Sequence, residues 1–220
     1  MCMKYQGNLP ALAAIASVAL AIAPAVAAPY RPVPNDLHVF AYIHDEIPDD
    51  DNSLMQRHFS DWLEEMQRVL PERQVHVHLR RGLPGITDAW YGRESAVTQW
   101  RQRLRDAPPP GEEPRVGAPG RLNLLLVGGL EVAPGAPGMT LSQGAPYAFA
   151  SVRSSAFVPA HELGHMMNAR HEFASREEIG FARVCATFMW KTTYADTCPR
   201  YSIRNVEQIR AYTKWWDVQP

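Results

Sequence analysis

The chain has 220 residues, with 22 lysines and arginines against 23 aspartates and glutamates and a formal net charge of −1. That length allows one or two compact domains with a true hydrophobic core. The balanced, scattered charge offers no electrostatic footprint for nucleic acid or an anionic membrane, so neither is expected as a partner.

Residues 1–28 differ from the rest. Lys4 is their one charge, an Ala-rich apolar run extends from Leu9 to Val26, and small residues stand at Val26, Ala27 and Ala28, the pattern of a cleaved secretory signal. Cleavage after Ala28 or Ala27 leaves a chain starting near Pro29, and Pro24 among so many alanines disfavours a permanent membrane span. The expected location is secreted or periplasmic, with no membrane association after cleavage. Cys2 leaves with the signal and lacks a lipobox before it. Cys185 and Cys198 then remain in an oxidising compartment, where one disulfide between them is the natural expectation.

The segment Leu37 to Ile43 is apolar enough for a strand, ended by the acidic turn around Asp49 to Asn52. Ser53 opens a helix, with Gln56 completing a capping-box pattern and Leu54, Phe59, Trp62, Met66, Val69 and Leu70 recurring along one face. A second strand spans Gln74 to Leu79. Its His76 and His78 alternate with valines and read as the solvated face of a half-buried strand in preference to a metal pair. A weaker helix carries Val97, Trp100 and Leu104, and the Pro/Gly-rich stretch from Ala107 to Gly120 is a loop. Arg121 to Leu130 is a nearly continuous apolar run, as in a strand covered on both faces. Alternating strands and helices predict an α/β fold with a mainly parallel sheet. Thr140 to Val152 adds one shorter strand, and a final helix carries Val206, Ile209, Tyr212 and Trp216.

The chemistry lies in His161-Glu-Leu-Gly-His165-Met-Met-Asn168-Ala-Arg-His171. Two histidines four residues apart on a helix are about 40° out of register and about 6 Å apart along the axis, so both imidazoles reach one metal ion. Glu162 stands where a carboxylate can take a proton from water beside that metal. On a continued helix His171 would be rotated about 240° from His165, so the helix must break between them. Asn168 occupies that gap, and asparagine tolerates the left-handed conformation that ends helices. Three ligands leave a fourth zinc position open, as a catalytic site requires.

This segment resembles the metzincin clan of zinc peptidases, whose pattern is HExxHxxGxxH followed by a methionine turn. Asn168 stands in place of the glycine, giving an HExxHxxNxxH variant with features of reprolysin-like and astacin-like bacterial members. The resemblance implies a zincin with a twisted, mainly parallel sheet: an upper subdomain over residues 29–171 carrying the zinc helix, and a small lower one over residues 172–220. It implies one catalytic Zn²⁺ on His161, His165 and His171, with Glu162 as general base. Met189 is implied as the methionine turn, and Thr197 to Ser202 looks like the segment that shapes the substrate pocket. Lys191 takes the position where astacin-like members carry an oxyanion tyrosine, which leaves Tyr194 and Tyr201 as candidates for an oxyanion or pocket role, against the preferred reading of each as a structural aromatic. Glu172, after the third histidine, is a candidate for support of that ligand.

The activity so implied is a secreted metalloendopeptidase acting on a protein or peptide, bound as an added strand along the sheet edge near Ala145 to Val152. The competing reading is a catalytically silent secreted binding module on the same fold. About eight residues separate the signal from the first strand, so a long propeptide is not expected. Control would then fall to a separate inhibitor, to export or to substrate supply.

Overall fold

The computed structural model describes residues 36–110, 118–179, 183–191 and 197–216. A five-stranded sheet has the order β2-β1-β3-β5-β4, from Val75–Arg80 (β2), Leu37–Ile43 (β1), Arg121–Val127 (β3), Tyr147–Ser151 (β5) and Gly138–Thr140 (β4). The first four run parallel and β4 is antiparallel, so the fold is α/β with a mainly parallel sheet. Every residue of β1, β3 and β5 is buried, which is why their sequences lack the alternation of half-exposed strands.

One face of the sheet is covered by α2 (Ser60–Val69), by the motif helix α4 (Val158–Met166) and by the last helix α5 (Ile203–Trp216), around Leu124, Leu126, Trp62 and Leu163. The other face packs on α3 (Ser95–Asp106), where Trp100 meets Tyr42 and Phe149 edge-on. A separate hairpin pairs β6 (Arg176–Ile179) with β7 (Arg183–Ala186). The charged β6 sequence gave no apolar signal for it. No helix among the described residues is long and apolar enough to cross a membrane.

Three expectations are revised. The first helix starts earlier than Ser53: α1 is Asp51–Leu54, and Asp50 caps it by accepting from the Ser53 backbone N–H at 2.9 Å, so Asp50 takes the role expected of Ser53. Between α1 and α2 the backbone is π-helical over Met55–Phe59. The wider turn suits the five-residue step from Leu54 to Phe59, and both side chains are fully buried. Finally, the shorter strand expected within Thr140 to Val152 is β5, and a strand that was not expected, β4, precedes it at the edge of the sheet. Gly144, at φ +75°, turns the chain between them.

Leu124 is fully buried in the strand that supports the motif helix. Leu124→Ala should cost about 2–5 kcal/mol, read as a lower urea midpoint with unchanged slope.

Candidate metal centre

The motif helix α4 begins with Pro159 in its first turn and ends where the sequence predicted a break. Asn168 has φ +69° and is the one non-glycine residue with positive φ among those described. The Ala169 N–H bonds the Gly164 carbonyl at 2.8 Å and the Asn168 N–H bonds that of His165 at 3.0 Å, the paired closure of a Schellman motif. The chain then runs extended through Arg170, whose N–H donates to Asn205 Oδ1 at 2.7 Å and whose carbonyl accepts from Asn205 Nδ2 at 3.1 Å. Fully buried on α5, Asn205 thus grips the segment from both sides and presents His171 back to the helix. A one-turn 3-10 helix, His171–Phe173, follows.

Three imidazoles converge as a result. His171 Nε2 lies 2.9 Å from His161 Nε2 and 3.0 Å from His165 Nε2. His161 Nδ1 is 2.6 Å from the Phe188 carbonyl and His165 Nδ1 is 3.1 Å from that of Ala169. A carbonyl can only accept, so each Nδ1 carries the proton, and each neutral ring turns an Nε2 lone pair inward. Burial, reinforced by the neighbouring histidines, pushes His161 down to about 3 and His165 down to about 4, and burial also lowers His171. The Nε2 lone pairs of His161 and His165 both face His171 Nε2, so the three ring nitrogens can share one cation. Two nitrogens on a tetrahedral zinc stand about 3.3 Å apart, so the three residues fit such an ion with a small outward shift.

Glu162 is buried beside them. Its Oε2 accepts from the Thr140 hydroxyl at 2.7 Å, and burial pushes the carboxyl up to about 8 against the pull of that bond. Gly138 is the cradle: a Cβ there would stand 2.3 Å from Glu162 Oε1. Thr140, Gly138 and the loop residues Ser142 and Gln143 line a cleft with the three histidines, Glu162 and Lys191. Gln143 also donates to the Ala169 carbonyl at 2.7 Å, which supports the turn.

The far side of α4 is built from the end of the chain. Gly164 allows the contact, since a Cβ there would meet Met189 Sδ at 2.5 Å and Tyr201 Cε1 at 2.8 Å. Met189 is fully buried there, next to the Phe188 carbonyl that holds His161. Cys185 and Cys198 are joined as expected, their Cα atoms 5.1 Å apart, and the Phe188 N–H bonds the Arg200 carbonyl at 2.9 Å just beyond the bridge. Tyr201 lies on this core side and not in the cleft. Its hydroxyl donates to the Ala160 carbonyl at 2.7 Å and accepts from Trp62 Nε1 at 3.0 Å. Tyr201 is therefore a strut of the motif helix, the structural role weighed for it against an oxyanion or pocket role. Tyr194 lies outside the described residues. Glu172 is exposed and paired with Arg170 at 3.3 Å.

Thr140, Gly138, Gln143 and Asn205 were not singled out from the sequence. Their signal is tertiary, since each lies on an element remote from the motif. His76 and His78 lie on the half-exposed edge strand β2, as read from the sequence, and there they stack with His38.

No protein-family model matches the chain, and no curated protein matches it. A solved structure, metalloproteinase-II from Bacteroides fragilis, matches with a TM-score of 0.57 at 15% sequence identity, over 81% of this chain. The chain spans about half, 53%, of that structure. At this identity the likeness establishes a shared fold, that of a metalloproteinase.

Two predictions follow from the struts. Asn205→Ala frees the segment that returns His171 and should weaken zinc binding by about ten- to a hundredfold in chelator competition; unchanged affinity would mean that His171 is held in another way. Tyr201→Phe removes both buried hydroxyl bonds and should cost about 1–3 kcal/mol in denaturant unfolding, with zinc content preserved.

Proposed function

We propose that the protein is a secreted zinc-dependent metalloendopeptidase. The observation that carries this reading is the convergence of the His161, His165 and His171 ring nitrogens next to the buried Glu162 carboxyl, in one cleft. A purely structural metal site closes its fourth position with a protein ligand and has no use for a base. Here Glu162 is aimed by Thr140 and Gly138 into the same cleft.

His161, His165 and His171 would hold the ion. When bound, zinc supplies Lewis-acid polarisation of a peptide carbonyl and makes water acidic near neutral pH. Glu162 takes the proton from the attacking water and returns it to the leaving amine. The Thr140 hydroxyl fixes the carboxylate rotamer throughout. Lys191 lines the same cleft and brings a positive charge near the reacting carbonyl.

The substrate would lie extended along β4, whose outer edge pairs with no strand among the described residues and whose residues line the cleft. This moves the binding edge from the Ala145 to Val152 region to Gly138–Thr140, because β5 is already paired on both sides. Export is supported by the apolar N-terminal run in the sequence and by the disulfide. The division into an upper part, residues 29–171, and a lower part, residues 172–220, is supported by the return of the chain at His171 and by the separate β6-β7 hairpin.

The test is Glu162→Gln. The variant keeps shape and hydrogen-bonding capacity but cannot accept a proton, so zinc stoichiometry should be unchanged while hydrolysis of casein or a quenched fluorescent peptide falls by at least about 10²–10⁴. Full activity in that variant would refute the assignment of the base.

A further inference from the structure

A second cluster of metal-ligating side chains lies at the opposite edge of the sheet, away from the cleft. Asp36 and His38 share a face at the start of β1, and His76 and His78 share that face on the adjoining edge strand β2. The parallel register sets His38 beside His76 and Phe40 beside His78. One donor atom from each of Asp36, His38 and His76 falls within 4.8 Å of the other two. His38 Nδ1 is 3.2 Å from His78 Nε2, and His76 Nε2 is 3.6 Å from Asp36 Oδ2. Two ligands on one tetrahedral zinc ion stand about 3.3 Å apart, so the four residues already form two pairs near that spacing.

We propose that Asp36, His38, His76 and His78 form a second binding site for a divalent transition-metal ion of the zinc class. Imidazoles with one carboxylate suit such borderline ions, whereas magnesium and calcium demand sets of oxygen ligands. Four protein ligands would close the coordination sphere, as in a structural site. The ion would tie the first residues of the central strand to the edge strand and would leave the cleft untouched. Bringing the two pairs together requires rotation of His76, whose side chain is 39% exposed and has room to turn. Arg121, in register with His38 on β3, opposes a cation here. Its guanidinium is drawn off by Asn123 and Tyr42, at 3.0 Å each, and lies over the Phe40 ring, while Asp36 supplies the compensating charge.

The experiment is a zinc count on the purified full chain, stripped with chelator and re-equilibrated with Zn²⁺ alone, with peptidase activity read on the same samples. Two equivalents are expected in the wild type. His76→Ala should retain one equivalent and its activity, and His171→Ala should retain one equivalent and lose activity. Asp36→Asn, which keeps the shape of the side chain, should weaken the second equivalent by about tenfold or more. One equivalent in the wild type, unchanged by His76→Ala, would overturn the proposal and leave a histidine stack with an Asp36–His76 ion pair only. Loss of activity with two equivalents still bound would bear on the proposed peptidase function and not on this site.

Discussion

Three imidazole rings converge with His171 Nε2 2.9 Å from His161 Nε2 and 3.0 Å from His165 Nε2, and the last two turn lone pairs inward. Three such nitrogens form the ligand set of one metal ion. Each ring is fixed from outside: His161 by the Phe188 carbonyl, His165 by the Ala169 carbonyl, and His171 by a backbone that Asn205 grips on both sides. The rest of the molecule can be understood as the framework for those constraints, which come from α4, from the turn after it and from the end of the chain. The same carbonyls fix which ring nitrogen carries the proton, so geometry and chemistry are set together.

The segment after residue 171 is consequently part of the site. Met189 and Tyr201 pack where only a glycine at 164 leaves room, and Tyr201 links the motif helix to Trp62 on α2. The Tyr201 backbone N–H reaches the buried Glu65 at 2.7 Å, and Glu65 is held by Arg68. The Phe188 N–H bonds the Arg200 carbonyl two residues beyond Cys198, so the disulfide and the packing of Tyr201 bear on the Phe188 carbonyl and with it on the orientation of His161.

The cleft side shows the same economy. A short antiparallel strand, β4, supplies Thr140 to aim the Glu162 carboxylate and Gly138 to make space for it, and its outer edge pairs with no strand among the described residues. These requirements fall on few positions and on backbone conformation. A chain can therefore share its fold with a metalloproteinase at 15% identity while no family model matches it.

Much of this was legible in the sequence. Strand β3 and the faces of α2, α3 and α5 followed from hydrophobic spacing, and the break at Asn168 followed from the rotation that His171 would otherwise suffer. The pairing of Cys185 with Cys198 followed from their number and compartment. These are local or combinatorial facts, decided by period, residue conformational preference and count. The local cap at Asp50 and the hairpin in a charged stretch had no hydrophobic signal to reveal them. What only the tertiary structure decided is long-range: the edge strand β4 and the placing of Thr140, Gly138 and Asn205 around the motif. For Tyr201 the sequence favoured a structural aromatic over a chemical role, but only packing shows which partners its hydroxyl has, Trp62 and Ala160. His76 and His78 met His38 only through the register of two parallel strands, and strand register is a property of the sheet, invisible in either strand alone.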